Sequence, residues 1–83
     1  MNKFRFPNKI SHLPKTSGVY AFKKGKQILY VGKAANIKER VKNHKKLLSQ
    51  AEKIGYIKTD SEIEALILEA SLIKKHRPKY NVA

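Results

Sequence analysis

Two tyrosines, Tyr20 and Tyr30, stand in the stretch GVYAFKKGKQILYVGK, and a phenol beside cations can take a proton from water. A free phenol, of pKa about 10, is only about one part in a thousand ionised at pH 7, so a reactive one needs positive charge nearby. Lys33 follows the second tyrosine, and Arg40 lies four residues before His44. An arginine can clamp a phosphate through paired hydrogen bonds, and a histidine can carry a proton near neutral pH. Glu69 is the remaining candidate, a carboxylate flanked at helical spacing by Ala65 and Ile73, which must be ion-paired, protonated or bound to a metal. Magnesium needs only one or two protein carboxylates, because water and substrate phosphate complete its shell. Each residue also has a plainer reading: a packed tyrosine pair, a solvated surface arginine, a core-edge histidine, a structural ion pair.

The elements that would position these side chains can be read from patterning. GVYAF and QILYVG are short β-branched and aromatic runs separated by KKGK, which predicts a β-hairpin. Pairing Tyr20 opposite Tyr30 through an odd loop centred on Gly25 puts both phenols on one face, with Val19, Ala21, Leu29 and Val31 on the other. A two-residue loop separates the phenols instead. Gly32 marks a place of close approach, and Lys33 beside the next helix start forms a candidate phosphate cradle.

NIKERVKNHKKLLSQ predicts one helix beginning at Asn36, which forms a capping pattern with Glu39 and places Arg40 and His44 on one flank. KIGYIKTD predicts a third strand, and SEIEALILEASLIKKHR a second helix, capped by Ser61 or Asp60 and stopped at Pro78. That helix carries two apolar arcs, Ile63, Leu66, Ile67, Ala70 and Ile73 in one and Ala65, Leu68 and Leu72 in the other, so it should be largely buried. Residues 1–17 read as an irregular lead-in with a helical turn near Ile10 to Leu13. The order β-β-α-β-α predicts one α+β domain over residues 1–83, a small three-stranded antiparallel or mixed sheet with flanking helices.

The 83-residue chain has 19 Lys and Arg against six acids, a formal charge of +13, and these bases are spread through every segment. A folded domain with such a field attracts polyanions. With no cysteine there is neither a disulfide nor a thiolate metal site, and His12, His44 and His76 lack zinc-ligand spacing. No apolar run is long enough to span a membrane, and the first residues lack the apolar centre of a secretory signal. The expectation is a cytoplasmic monomer without membrane contact.

Taken together, GVY at 18–20, YVG at 30–32, GKAANIKERV at 32–41 and EALILEASLIKKHRPKYNV at 64–82 resemble the GIY-YIG nuclease family, most closely the N-terminal endonuclease domain of the UvrC-like excinucleases. The resemblance implies that Tyr20 and Tyr30 are active-site phenols, that Lys33 and Arg40 contact phosphate, and that Glu69 binds one divalent metal, Mg²⁺ or alternatively Mn²⁺. It further implies a supporting role for Asn81 and a role for His44, where members carry tyrosine or histidine. Ser17 stands where excinucleases commonly have proline. The function implied is metal-dependent endonuclease or nickase activity on DNA, with Tyr30 favoured over Tyr20 as base because Lys33 is close in sequence. The alternatives are a non-catalytic basic DNA-binding module on the same scaffold, and a catalytic arm that needs a protein partner for targeting.

Overall fold

The structure is a computed structural model that describes residues 3–81. Strands β1 (Gly18–Lys24) and β2 (Gln27–Ala34) form the expected hairpin, and β3 (Lys53–Lys58) pairs with the other side of β1, so the antiparallel sheet has the order β2-β1-β3. The turn itself has two residues, Gly25 and Lys26, with Gly25 at a φ of 59° that side-chain-bearing residues avoid.

The register differs from the expected one in an instructive way. Lys24 pairs with Gln27 and Lys23 with Ile28, an arrangement that by itself would put Tyr20 and Tyr30 on opposite faces. A bulge then intervenes: Phe22 pairs with Tyr30 and Tyr20 with Gly32, leaving Leu29 as an extra residue on β2. The extra residue moves Tyr30 onto the face of Tyr20. Tyr20 is therefore opposite Gly32 and diagonal to Tyr30. The same bulge sends Leu29 to the phenol side of the sheet, correcting its expected placement, and Ile28 to the other.

The predicted first helix is two. Asn36 caps α1 (Ile37–Lys42), its side chain accepting from the Glu39 amide, but the helix stops at Asn43, and α2 (Lys45–Gln50) starts anew after His44. Asn43 and His44 donate to carbonyls three residues back rather than four, so the last turn tightens, and His44 then leaves helical geometry at ψ 62°. Asn and His are weak helix formers, which makes this the natural place to break. The element order is accordingly β-β-α-α-β-α.

Helix α3 (Glu62–His76) starts on Ser61, whose hydroxyl accepts from the Glu64 amide, and ends on Arg77 in the left-handed conformation just before Pro78. It is far less buried than expected. Ala65 and Leu72 are buried, with Leu68 and Ile73 partly so, but Ile63, Leu66 and Ile67 are 71%, 50% and 66% exposed. The two apolar arcs point in opposite directions, and a single helix lying on a sheet can cover only one of them.

Two apolar layers result. Val19, Ala21, Val31 and Ile57 pack against α3 on one face of the sheet. Tyr20, Phe22 and Leu29 pack with Leu13, Ile37 and Val41 on the other, under α1 and α2. The lead-in is tied down at several points: Arg5 bridges Tyr56 on β3, Phe6 covers Gly55, and Ile10–His12 forms the expected helical turn, as a 3₁₀ helix. Ser17 donates from its hydroxyl to the Thr59 carbonyl at 3.1 Å, tying the start of β1 to the end of β3, a bond proline could not make.

Candidate active site

The bulge and the helix break together build an aromatic cluster on the face of the sheet under α1 and α2. His44 turns inward at the break, and its ring centroid lies 5.5 Å from Tyr20, 5.2 Å from Tyr30 and 5.5 Å from Phe22. Tyr20 reaches along the sheet over Gly32, where any Cβ would collide with the phenol oxygen. This is the close approach that a glycine at position 32 permits.

Tyr20 Oη and His44 Nε2 are 2.6 Å apart. Burial raises the Tyr20 pKa to about 12, against the opposing pull of Arg40, while burial and the Arg40 charge push His44 below its ordinary range. Phenol and imidazole are therefore both held in their neutral forms, joined by one short hydrogen bond. Tyr20 is only 1% exposed, whereas Tyr30 and His44 are half-buried and line an open hollow on the protein surface.

The cations gather beside this cluster. Lys33 at the end of β2 and Arg40 on α1, both exposed, line one hollow of about 360 Å³ together with Asn36, Glu39 and Asn43. Arg40 also lies close enough to act electrostatically on both Tyr20 and His44. It does so across the helix break; the shared helical flank expected for Arg40 and His44 does not exist.

Two expected residues approach from elsewhere. Asn81 lies in a short 3₁₀ helix, Lys79–Asn81, that crosses the open edge of β2. Its Oδ1 accepts from the Val31 amide at 2.8 Å and its Nδ2 donates to the Val31 carbonyl at 2.9 Å, replacing a missing strand partner between Tyr30 and Gly32. Glu69 rides on α3, which packs on the other face of the sheet. It is half-buried, and its carboxylate makes no hydrogen bond among the described residues. No buried side-chain oxygen or nitrogen there is without a partner, so its oxygens meet solvent.

The structure thus brings Tyr20, Tyr30, Arg40 and His44 together, sets Lys33 beside Arg40, and anchors Asn81 to β2. Glu69, carried on α3, lines neither of the two hollows. No group of three or more His, Cys, Asp or Glu forms among the described residues, so any metal here rests on few protein ligands. A single water-facing carboxylate is a hard oxygen donor that suits Mg²⁺, and the residues fit that role.

Residues 16–82 match the family described as the UvrC-like GIY-YIG domain. The chain belongs to that family. Among its UvrC relatives, the UvrABC system protein C of Thermus thermophilus is 47% identical over 77 residues, covering 84% of this chain and 13% of that protein. That of Treponema denticola is 48% identical over 79 residues, covering 83% of this chain and 12% of that protein. The chain thus spans about an eighth of the length of these relatives. Among solved structures, the GIY-YIG N-terminal endonuclease domain of UvrC from Thermotoga maritima, bound to its catalytic magnesium, is 39% identical with a TM-score of 0.82, over 89% of this chain and 92% of that one. The GIY-YIG likeness therefore covers the sheet, all three α-helices and the 3₁₀ segment that carries Asn81.

Tyr80, Gln50, Lys45 and Lys46 also line the hollow beside Tyr30 and His44, and none of them stood out in the sequence. The signal available for Tyr80 was an aromatic residue among bases in HRPKYN.

Proposed function

We propose that this chain is a metal-dependent endonuclease that hydrolyses, or nicks, phosphodiester bonds in DNA. The observation that carries this reading is the meeting of a solvent-facing phenol and a neutral histidine with a two-cation hollow, on a scaffold similar to a magnesium-bound endonuclease domain. The formal charge of +13 supplies the attraction for a polyanionic substrate.

The scissile phosphate sits at Lys33 and Arg40, whose positive charges offset the negative charge that grows on its oxygens during attack. Tyr30, reacting from its phenolate form, takes the proton from the attacking water. The water oxygen forms its bond to phosphorus as the bond to the leaving sugar oxygen breaks, and that oxygen takes up a proton from solvent. Tyr20, buried and protonated, is a positioning residue: its hydrogen bond holds the His44 ring beside Tyr30. Glu69 is the protein ligand for Mg²⁺, with Mn²⁺ as the alternative, and the bound ion supplies Lewis-acid charge for the phosphate. Asn81 holds β2 in place between Tyr30 and Gly32.

The similarity to proteins of the UvrABC system supports a place in DNA repair and a protein partner that targets the cut. In isolation the chain acts as a monomer. Among the described residues no helix is long and apolar enough to cross a membrane.

The test is nicking of supercoiled plasmid. With Mg²⁺ the protein relaxes the plasmid, and EDTA stops it. Tyr30→Phe and Arg40→Ala each lower the rate about 100-fold or more, the scale of a lost proton acceptor or charge stabiliser. Full nicking by Tyr30→Phe removes it as base, and nicking undiminished in EDTA removes the metal.

A further inference from the structure

Next to the cation hollow lies a second one, of about 340 Å³, that extends from Tyr30 and His44 to Tyr80. Its walls are unlike the first. Tyr30, His44 and Tyr80 line it together with Lys45, Leu47 and Gln50 of α2. Tyr80 is 40% exposed but held in place, its hydroxyl donating to Gln50 Oε1 at 2.6 Å. A tethered tyrosine ring that shares one hollow with a second tyrosine, a histidine ring and an amide has the chemistry that receives a planar heterocycle: stacking surfaces and one group able to donate and accept.

The two hollows share Asn43. A nucleotide whose phosphate lies at Lys33 and Arg40 can therefore present its own or the adjoining base to the aromatic hollow. A base stacked within a duplex cannot enter such a hollow without leaving the stack, at a cost that is smallest when it is already unpaired.

Resting on the nuclease reading above, we infer that the hollow between Tyr30, His44 and Tyr80 is a nucleobase subsite, and that the substrate class is DNA with an unpaired base beside the scissile phosphate. Bulged, mismatched or single-stranded positions would be cut in preference to perfect duplex. The subsite selects for an exposed base, with little discrimination among the four, since every base has a face to stack.

The experiment reads binding in EDTA, so that it is independent of cutting. Two otherwise identical DNA duplexes carry 2-aminopurine, one in a single-nucleotide bulge and one paired. The wild-type protein should bind the bulged duplex more tightly and quench its fluorescence by stacking. Tyr80→Ala should weaken binding of the bulged duplex by about fivefold or more, leaving the paired duplex unaffected, while Tyr80→Phe, which keeps the ring, stays close to wild type. Equal wild-type affinity for the two duplexes, or an unquenched bulge, overturns the subsite whether or not Tyr80→Ala folds. Quenching without any nicking in Mg²⁺ retains the subsite and removes the nuclease; nicking that is indifferent to the bulge retains the nuclease and removes the subsite.

Discussion

Tyr20 and His44 share one hydrogen bond at 2.6 Å, and burial favours the neutral form of each. Of the four tyrosines, Tyr20 should titrate with a pKa of about 12, visible in ultraviolet absorbance as a late step that Tyr20→Phe abolishes. Because a tyrosine in the unfolded chain ionises near 10, as expected of a free phenol, this group stabilises the fold below about pH 10 and loses that contribution as pH rises toward 12. His44 works from the other side. Its folded pKa is depressed, so its contribution is present above the unfolded value of 6.5 and is lost as pH falls below it. Melting temperature followed against pH should show both declines, and His44→Phe should remove the acid one. The sequence named both residues as candidates but not their bond. That contact depends on the chain leaving helical geometry at His44, and a periodicity that looked continuous from Ile37 to Leu48 hides the break.

At the scale of elements, the hairpin, the third strand and the caps of α1 and α3 were legible, because capping side chains and alternating apolar residues act locally. The register was not. It combines a two-residue turn with a one-residue bulge, and only their sum puts Tyr20 and Tyr30 on one face. Gly32→Ala tests that packing: its Cβ meets the Tyr20 phenol, so a loss of about 1–3 kcal/mol is expected in denaturant unfolding. The exposure of helix α3 is hidden in the sequence for a different reason. Apolar residues on two opposite arcs signal burial only where something lies on both sides, and the sheet lies on one. Leu72→Ala, on the covered arc, should cost about 2–5 kcal/mol, whereas Ile67→Lys, on the exposed arc, should stay within about 0.5 kcal/mol.

Across the whole molecule, charge and catalysis are separable. The field of 19 basic residues acts on any nucleic acid, so affinity for a short duplex should fall about tenfold between 50 and 200 mM salt for every two phosphates contacted. Cutting, by contrast, rests in the proposed mechanism on a few residues carried on opposite faces of the sheet: the phenols and His44 on one, Glu69 on the helix that covers the other. That division is also where the sequence was least sufficient, since nothing in the spacing of Glu69 shows which face of the sheet its helix covers. The most direct measurement is Glu69→Gln, assayed side by side for plasmid nicking in Mg²⁺ and for duplex binding by fluorescence anisotropy, with circular dichroism to confirm the fold. The metal-dependent account predicts that nicking disappears while binding persists. Nicking at the wild-type rate by folded Glu69→Gln would contradict it.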